Sequence, residues 1–121
     1  MNLTGLVPIL KCRSVTNSLK FYKDTLRFVE IRTRKSAKEL EWVYLKSGST
    51  YLMLELMSET ELQQNNAIQL YFYVDNIDDF YRYMSAKSYA ISSINSTDYG
   101  LKQCDFQDPD GHKIIIGELI K

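Results

Sequence analysis

The chain has 121 residues, and its 15 basic residues balance 15 acidic ones, leaving no net charge. One domain of that length can bury a real core. The even charge, with no basic stripe, argues against nucleic acid and membrane-surface partners. No apolar run approaches the roughly 18 residues of a membrane span. The opening Met1-Asn2-Leu3-Thr4-Gly5-Leu6 lacks the basic-then-apolar pattern of a signal peptide. Cys12 and Cys104 have no metal-type spacing, so they read as free thiols filling the core of a cytoplasmic protein.

In chain order, residues 6–12 are an apolar strand. Residues 14–26 form a helix, with Ser14 as N-cap and Val15, Leu19, Tyr22 and Leu26 on one face. Residues 28–34 alternate and form a strand, as do 39–45. Ser47-Gly48-Ser49 turns a hairpin into a strand over 50–56. A polar connection covers 58–66, with a helical turn over 59–63. The order then repeats: a strand at 68–74, a helix at 77–87 capped by Asp75 or Asn76, and strands at 91–95, 101–106 and 113–119.

Phe21-Tyr22 in the first helix is echoed by Phe80-Tyr81 in the second, and Gly48…Glu55-Leu56 by Gly111…Glu118-Leu119. The chain therefore reads as one domain over 1–121 made of two βαβββ modules, at about 6–57 and 67–120. In Asp108-Pro109-Asp110-Gly111-His112, Pro109 presets a turn and Gly111 supplies a positive φ. His112, the only histidine, reads as a surface turn residue.

Several segments carry a resemblance: Val7-Pro8-Ile9-Leu10, Ser18-Leu19-Lys20-Phe21-Tyr22, Leu26-Arg27-Phe28, Val74-Asp75-Asn76-Ile77, Tyr99-Gly100 and the Asp108–His112 turn. In order and spacing the chain resembles the vicinal oxygen chelate superfamily, the fold of glyoxalases, bleomycin resistance proteins and extradiol dioxygenases. The resemblance implies an α+β fold in which the two modules form curved half-barrels around a cavity, helices on the outer face. Counting from the matched segments, the superfamily's four metal-ligand positions fall on Pro8, Glu55, Gln69 and Ile115. Pro8 and Ile115 offer no donor, so neither a metal nor another cofactor is expected. Glu118 has the opposite parity to Ile115 and cannot replace it.

Strand parity gives an inner lining of Pro8, Leu10, Cys12, Trp42, Tyr44, Tyr51, Met53, Glu55, Gln69, Tyr71, Tyr73, Leu101, Gln103, Asp105, Lys113 and Ile115. The opposite parity, almost wholly aliphatic or Phe, reads as the face under the helices, with Val7 and Ile9 in it. The candidate ligand-binding residues are Trp42, Tyr44, Tyr51, Met53, Glu55, Gln69, Tyr71, Tyr73, Gln103 and Asp105. Broad aromatic faces beside Glu55 and Asp105 suit a planar or cationic organic ligand.

The arrangement is similar to the metal-free bleomycin resistance branch. That resemblance implies antibiotic resistance by sequestering a small molecule without chemistry, in a homodimer that exchanges its N-terminal strand near Pro8. The alternative is a glyoxalase- or dioxygenase-like enzyme, metal-free with Glu55 as base or with an atypical metal site on Glu55 and Gln69. A third reading makes the aromatic residues mere packing in an assembly protein. Arg32, Arg34, Lys35 and Lys38 form a basic cluster that reads as a solvated hairpin.

Overall fold

A computed structural model describes residues 1–63 and 68–119 of the chain. The polar connection expected over 58–66 is therefore described only as far as residue 63, and the expected module end at 120 lies outside the described residues. The described residues form two compact units. The first holds strands β1 (Ile9–Cys12), β2 (Val29–Lys35), β3 (Leu40–Ser47) and β4 (Thr50–Leu56), with helix α1 (Val15–Leu26). A 3₁₀ turn, Glu61–Gln63, follows. The second holds β5 (Gln69–Tyr73), β6 (Asn95–Ser96), β7 (Leu101–Gln107), β8 (Lys113–Leu119) and helix α2 (Ile77–Ala86).

Each unit is one four-stranded mixed sheet with the same strand order, β1-β4-β3-β2 and β5-β8-β7-β6. In each, the first strand pairs in parallel with the last and the rest is antiparallel. A parallel pair needs a crossover, and α1 or α2 begins each one. Among the described residues, no helix is long and apolar enough to cross a membrane.

Ser14 caps α1 as expected, its Oγ accepting from the Asn17 N–H at 3.2 Å. Arg27 ends the helix in the left-handed region, φ 59°. The buried stripe is Val15, Ser18, Tyr22 and Thr25, while Leu19 and Leu26 sit at its border. Ser18 is small enough to let α1 approach β3 and β4, and Thr25 Oγ1 donates to the Phe21 carbonyl at 2.9 Å, so both polar residues are tolerated under the helix. Asn76 is the cap of α2, with Oδ1 accepting from the Asp79 N–H at 3.1 Å. Glu118 does face the helix, where its Oε1 accepts the Ile77 N–H at 2.8 Å.

The face under each helix is the expected apolar one for β3, β4, β7 and β8: Val43, Leu45, Leu52, Leu54, Cys104, Phe106, Ile114 and Ile116 are all buried. Strand β1 is reversed. Leu10 lies opposite Leu54 and Lys11 opposite Glu55, so Leu10 and Cys12 (1% and 0% exposed) turn toward the core while Ile9 is 52% exposed. Pro8 shares the parity of Leu10 and Cys12. A one-residue offset exchanges the two faces of a strand, and that offset separates the expected lining on β1 from the observed one.

The strand expected at 91–95 is reduced to the two-residue β6. The Asp105 N–H donates to the Ser92 hydroxyl at 2.9 Å, and the Ser92 N–H donates to the Asp105 carbonyl. A side chain thus takes one rung of the ladder and interrupts the strand. The expected turn forms at the head of β8, with Gly111 at φ +85° and its N–H donating to the Asp108 carbonyl at 3.0 Å. His112 departs from expectation: it is 2% exposed, Nδ1 lying 2.8 Å from Asp108 Oδ2.

Candidate functional site

In the first unit, cross-strand pairing places Trp42 opposite Glu55 and Tyr44 opposite Met53. Directly paired residues project to the same side of a sheet. Tyr51 lies opposite Lys46 on that side. The three rings form a continuous run. Trp42 and Tyr44 stack with centroids 6.3 Å apart, and Tyr44 and Tyr51 lie 5.7 Å apart. All five candidate residues of this unit are half-buried, so ring surface is left uncovered for a ligand.

Glu55 is not a free carboxylate. Because β1 is reversed, Lys11 stands beside it, and Lys11 Nζ donates to Glu55 Oε1 and lies 3.3 Å from Glu61 Oε2. These carboxylates, Glu55 foremost, hold the Lys11 ammonium above the usual lysine range. Ser58 and Glu61 form a reciprocal cap: the Ser58 N–H donates to Glu61 Oε1 at 2.8 Å and the Glu61 N–H to Ser58 Oγ at 3.2 Å. The Ser58 backbone and hydroxyl, then Lys11, hold the Glu61 carboxyl below the usual range.

In the second unit, Tyr71 pairs with Ile115 and Asp105 in one row, and Tyr73 with Gly117 and Gln103 in the next. Gln69 lies beside Lys113 at the sheet's end. Tyr71 and Tyr73 lie 5.4 Å apart. The Tyr71 hydroxyl donates to Gln103 Oε1 at 2.9 Å, and Tyr99 donates to the same oxygen at 3.1 Å. Burial, then the phenols of Tyr99 and Tyr73, push the Tyr71 hydroxyl above the usual tyrosine range. Sequence reasoning missed two members of this group, Tyr99 and Gly117. A methyl on Gly117 would stand 2.3 Å from Tyr71 Oη, so glycine is what lets the ring cross β8 to Gln103. A lone glycine ending a β-branched run was the available signal.

Residues 6–121 match the glyoxalase-like domain family. The chain is a member of that family. No curated protein matches its sequence. Among solved structures it is similar to TioX from Micromonospora sp. ML1 (TM-score 0.83, 15% identity, 97% of this chain and 99% of that one). It is also similar to the bleomycin resistance determinant encoded on transposon Tn5 (0.76, 17%, 97% and 98%). A third is lactoylglutathione lyase from Agrobacterium tumefaciens (0.76, 17%, 98% and 96%). At these identities the likeness shows the fold.

The residues of this chain do not fit the metal ion that the superfamily resemblance implies. Pro8 does not share the Glu55 face, Lys11 already occupies that carboxylate, and Ile115 at the fourth position is aliphatic. Another group of potential ligands is Asp108, Asp110 and His112, whose donor atoms lie within 4.8 Å of one another. Asp108 is committed to its own turn there, Oδ1 accepting from the Asp110 and His112 N–H groups at 2.9 Å and Oδ2 meeting His112 Nδ1. A hollow of about 580 Å³ opens elsewhere in the first unit, where Thr16 of α1 meets the β2–β3 hairpin, but its walls mix Glu30 and Glu39 with Lys35 and Lys38 and favour no charge. Cys104, buried, has its thiol pushed up to about 11 by burial and then by Asp105, so at neutral pH it is a small core residue and no nucleophile.

Proposed function

We propose that this chain is a non-catalytic small-molecule-binding protein of the bleomycin-resistance type, which holds a planar organic ligand against its aromatic sheet faces. The single observation that carries this is the open Trp42–Tyr44–Tyr51 ring run beside a Glu55 already satisfied by Lys11. A ring run offers stacking area without a reacting group, which is what sequestration needs. The Tn5 bleomycin resistance determinant, alike in fold, supports the reading. An enzyme using Glu55 as base would first have to strip Lys11 from it, and no observation favours that. A cationic ligand loses Glu55 as its counter-charge for the same reason.

The protein works as a homodimer in this reading, with the N-terminal strand exchanged near Pro8. Leu3, Leu6 and Ile9 are exposed apolar residues along that segment, and Pro8 interrupts the donor pattern that would tie it down. Replacing Leu6 and Ile9 with Asp should halve the mass in sedimentation velocity.

Fluorescence titration of Trp42 in EDTA-treated protein tests the ligand reading, with bleomycin and planar aromatic compounds, with and without divalent metals. Saturable quenching without metal is expected. Trp42→Ala and Tyr71→Ala, followed by calorimetry, should weaken binding without unfolding the chain. Quenching only after metal is added, or unchanged affinity in both variants, would overturn the proposal.

A further inference from the structure

The charges around the first unit's ring run are lopsided. Cross-strand register puts Arg34 beside Trp42 and Arg32 beside Tyr44, so both arginines project from β2 on the aromatic side. Lys46 stands over the Tyr51 ring, 5.7 Å from its centroid. Lys11 lies at the far edge. Two of these four cations are engaged: Lys11 by Glu55 and Glu61, and Arg34 by Glu41, whose Oε1 is 3.8 Å from Arg34 Nε. Among the described residues no ion pair involves Arg32 or Lys46. Glu30, the acidic residue nearest Arg32 along β2, is paired with Lys23 of α1 at 2.7 Å.

We infer that this face takes planar aromatic anions, such as aryl carboxylates, with the ring on Trp42 and Tyr44 and the anionic group on Arg32 and Lys46. The inference rests on the proposed binding role and specifies its ligand class. Neighbouring strands lie about 4.8 Å apart. An acid group attached directly to a ring stacked on Tyr44 therefore reaches the adjacent strand, where Arg32 sits. The guanidinium fork can meet a carboxylate with two parallel hydrogen bonds, and Lys46 adds a point charge from the other flank. A cationic ring on the same rings would face two uncompensated cations. The basic cluster that the sequence shows at this hairpin thus divides: Arg32 serves the ring face, while Lys35 and Lys38 line the hollow beside α1.

Three probes of similar ring size test this by quenching of Trp42 emission in the full chain: anthracene carboxylate, its neutral carboxamide, and the cation acridine orange. The carboxylate should bind about five- to tenfold tighter than the carboxamide. Arg32→Gln, an exposed position on an edge strand, should erase that preference by weakening the carboxylate far more than the carboxamide, with Lys46→Gln removing part of it. Salt at about 0.5 M should weaken only the carboxylate. Equal binding of carboxylate and carboxamide, an unaltered preference in Arg32→Gln, or tighter binding of acridine orange would overturn the anion inference and leave the binding role standing. Failure of all three probes to quench would overturn both.

Discussion

Gly117→Ala isolates the contact on which the second aromatic face is built. The added methyl would meet Tyr71 Oη at 2.3 Å and Cε1 at 2.5 Å, so the ring must leave. Those atoms are the far end of a side chain that is only half-buried, so the ring swings outward and the backbone stays. The main loss is then the Tyr71–Gln103 hydrogen bond, about 0.5–1.5 kcal/mol net. Alanine recovers about 0.5–1 kcal/mol that a mid-strand glycine forfeits. The two nearly cancel, so Gly117→Ala alone should change stability by less than about 1 kcal/mol. The contact shows instead as coupling: in a Tyr71→Ala background the same change should stabilise, giving an interaction energy of about 1 kcal/mol by urea denaturation. Spectrophotometric titration of the phenols, with Tyr71→Phe to mark its share of the curve, should also show the Tyr71 hydroxyl moving back toward the usual range in Gly117→Ala. Coupling below about 0.3 kcal/mol would refute the reasoning.

Lys11→Gln leaves Glu55 and Glu61 without their cation and should strengthen binding of acridine orange severalfold, measured by dye fluorescence; unchanged affinity would mean that Lys11 does not guard Glu55. The Glu61 carboxyl titrates low in the folded chain, so its contribution is complete above its ordinary value of 4.5 and is lost as pH falls; Tm measured between about pH 6 and pH 3 should fall less steeply in Glu61→Gln. Asp108→Ala strands two N–H groups and a buried imidazole and should cost about 2–4 kcal/mol by urea denaturation, and a loss under about 1 kcal/mol would contradict the role given to the carboxylate.

The order of strands and helices along the chain was legible from hydrophobic periodicity, and the helix caps from Ser14 and Asn76 just ahead of each helix. The core faces of β3, β4, β7 and β8 were legible from the period-two alternation of side chains, with Tyr44, Glu55, Asp105 and Lys113 marking the other side. On β1 that signal fails. Val7, Pro8, Ile9, Leu10 and Cys12 are apolar at both parities, and Lys11 alone marks which side faces water. The Lys11–Glu55 pair follows from parallel register, which no local pattern encodes. His112 looked exposed because it sits in a turn; its burial depends on Asp108 folding back four residues to meet the imidazole and the backbone together. The shortened β6 turns on one serine hydroxyl standing in for a carbonyl. The candidate ring residues of each sheet share a face because parity was read correctly on the strands that carry them, while Tyr99 comes from a loop beyond the reach of parity.

Strand β2 is exposed along all seven residues and is the last strand of its sheet, so among the described residues one row of its backbone amides and carbonyls has no strand beside it. Such an edge invites a second chain to add itself, with Val29 and Ile31 as adhesive. Two devices oppose this: the register slips at Glu30/Arg32 and Arg34/Lys35, which spoil a straight template, and the row of positive charge itself. Arg32 and Arg34 therefore answer to colloidal solubility as well as to any ligand. Changing these residues to alter the ligand also changes how well the edge is guarded, which ties the chemistry of what the face accepts to keeping the chain dispersed.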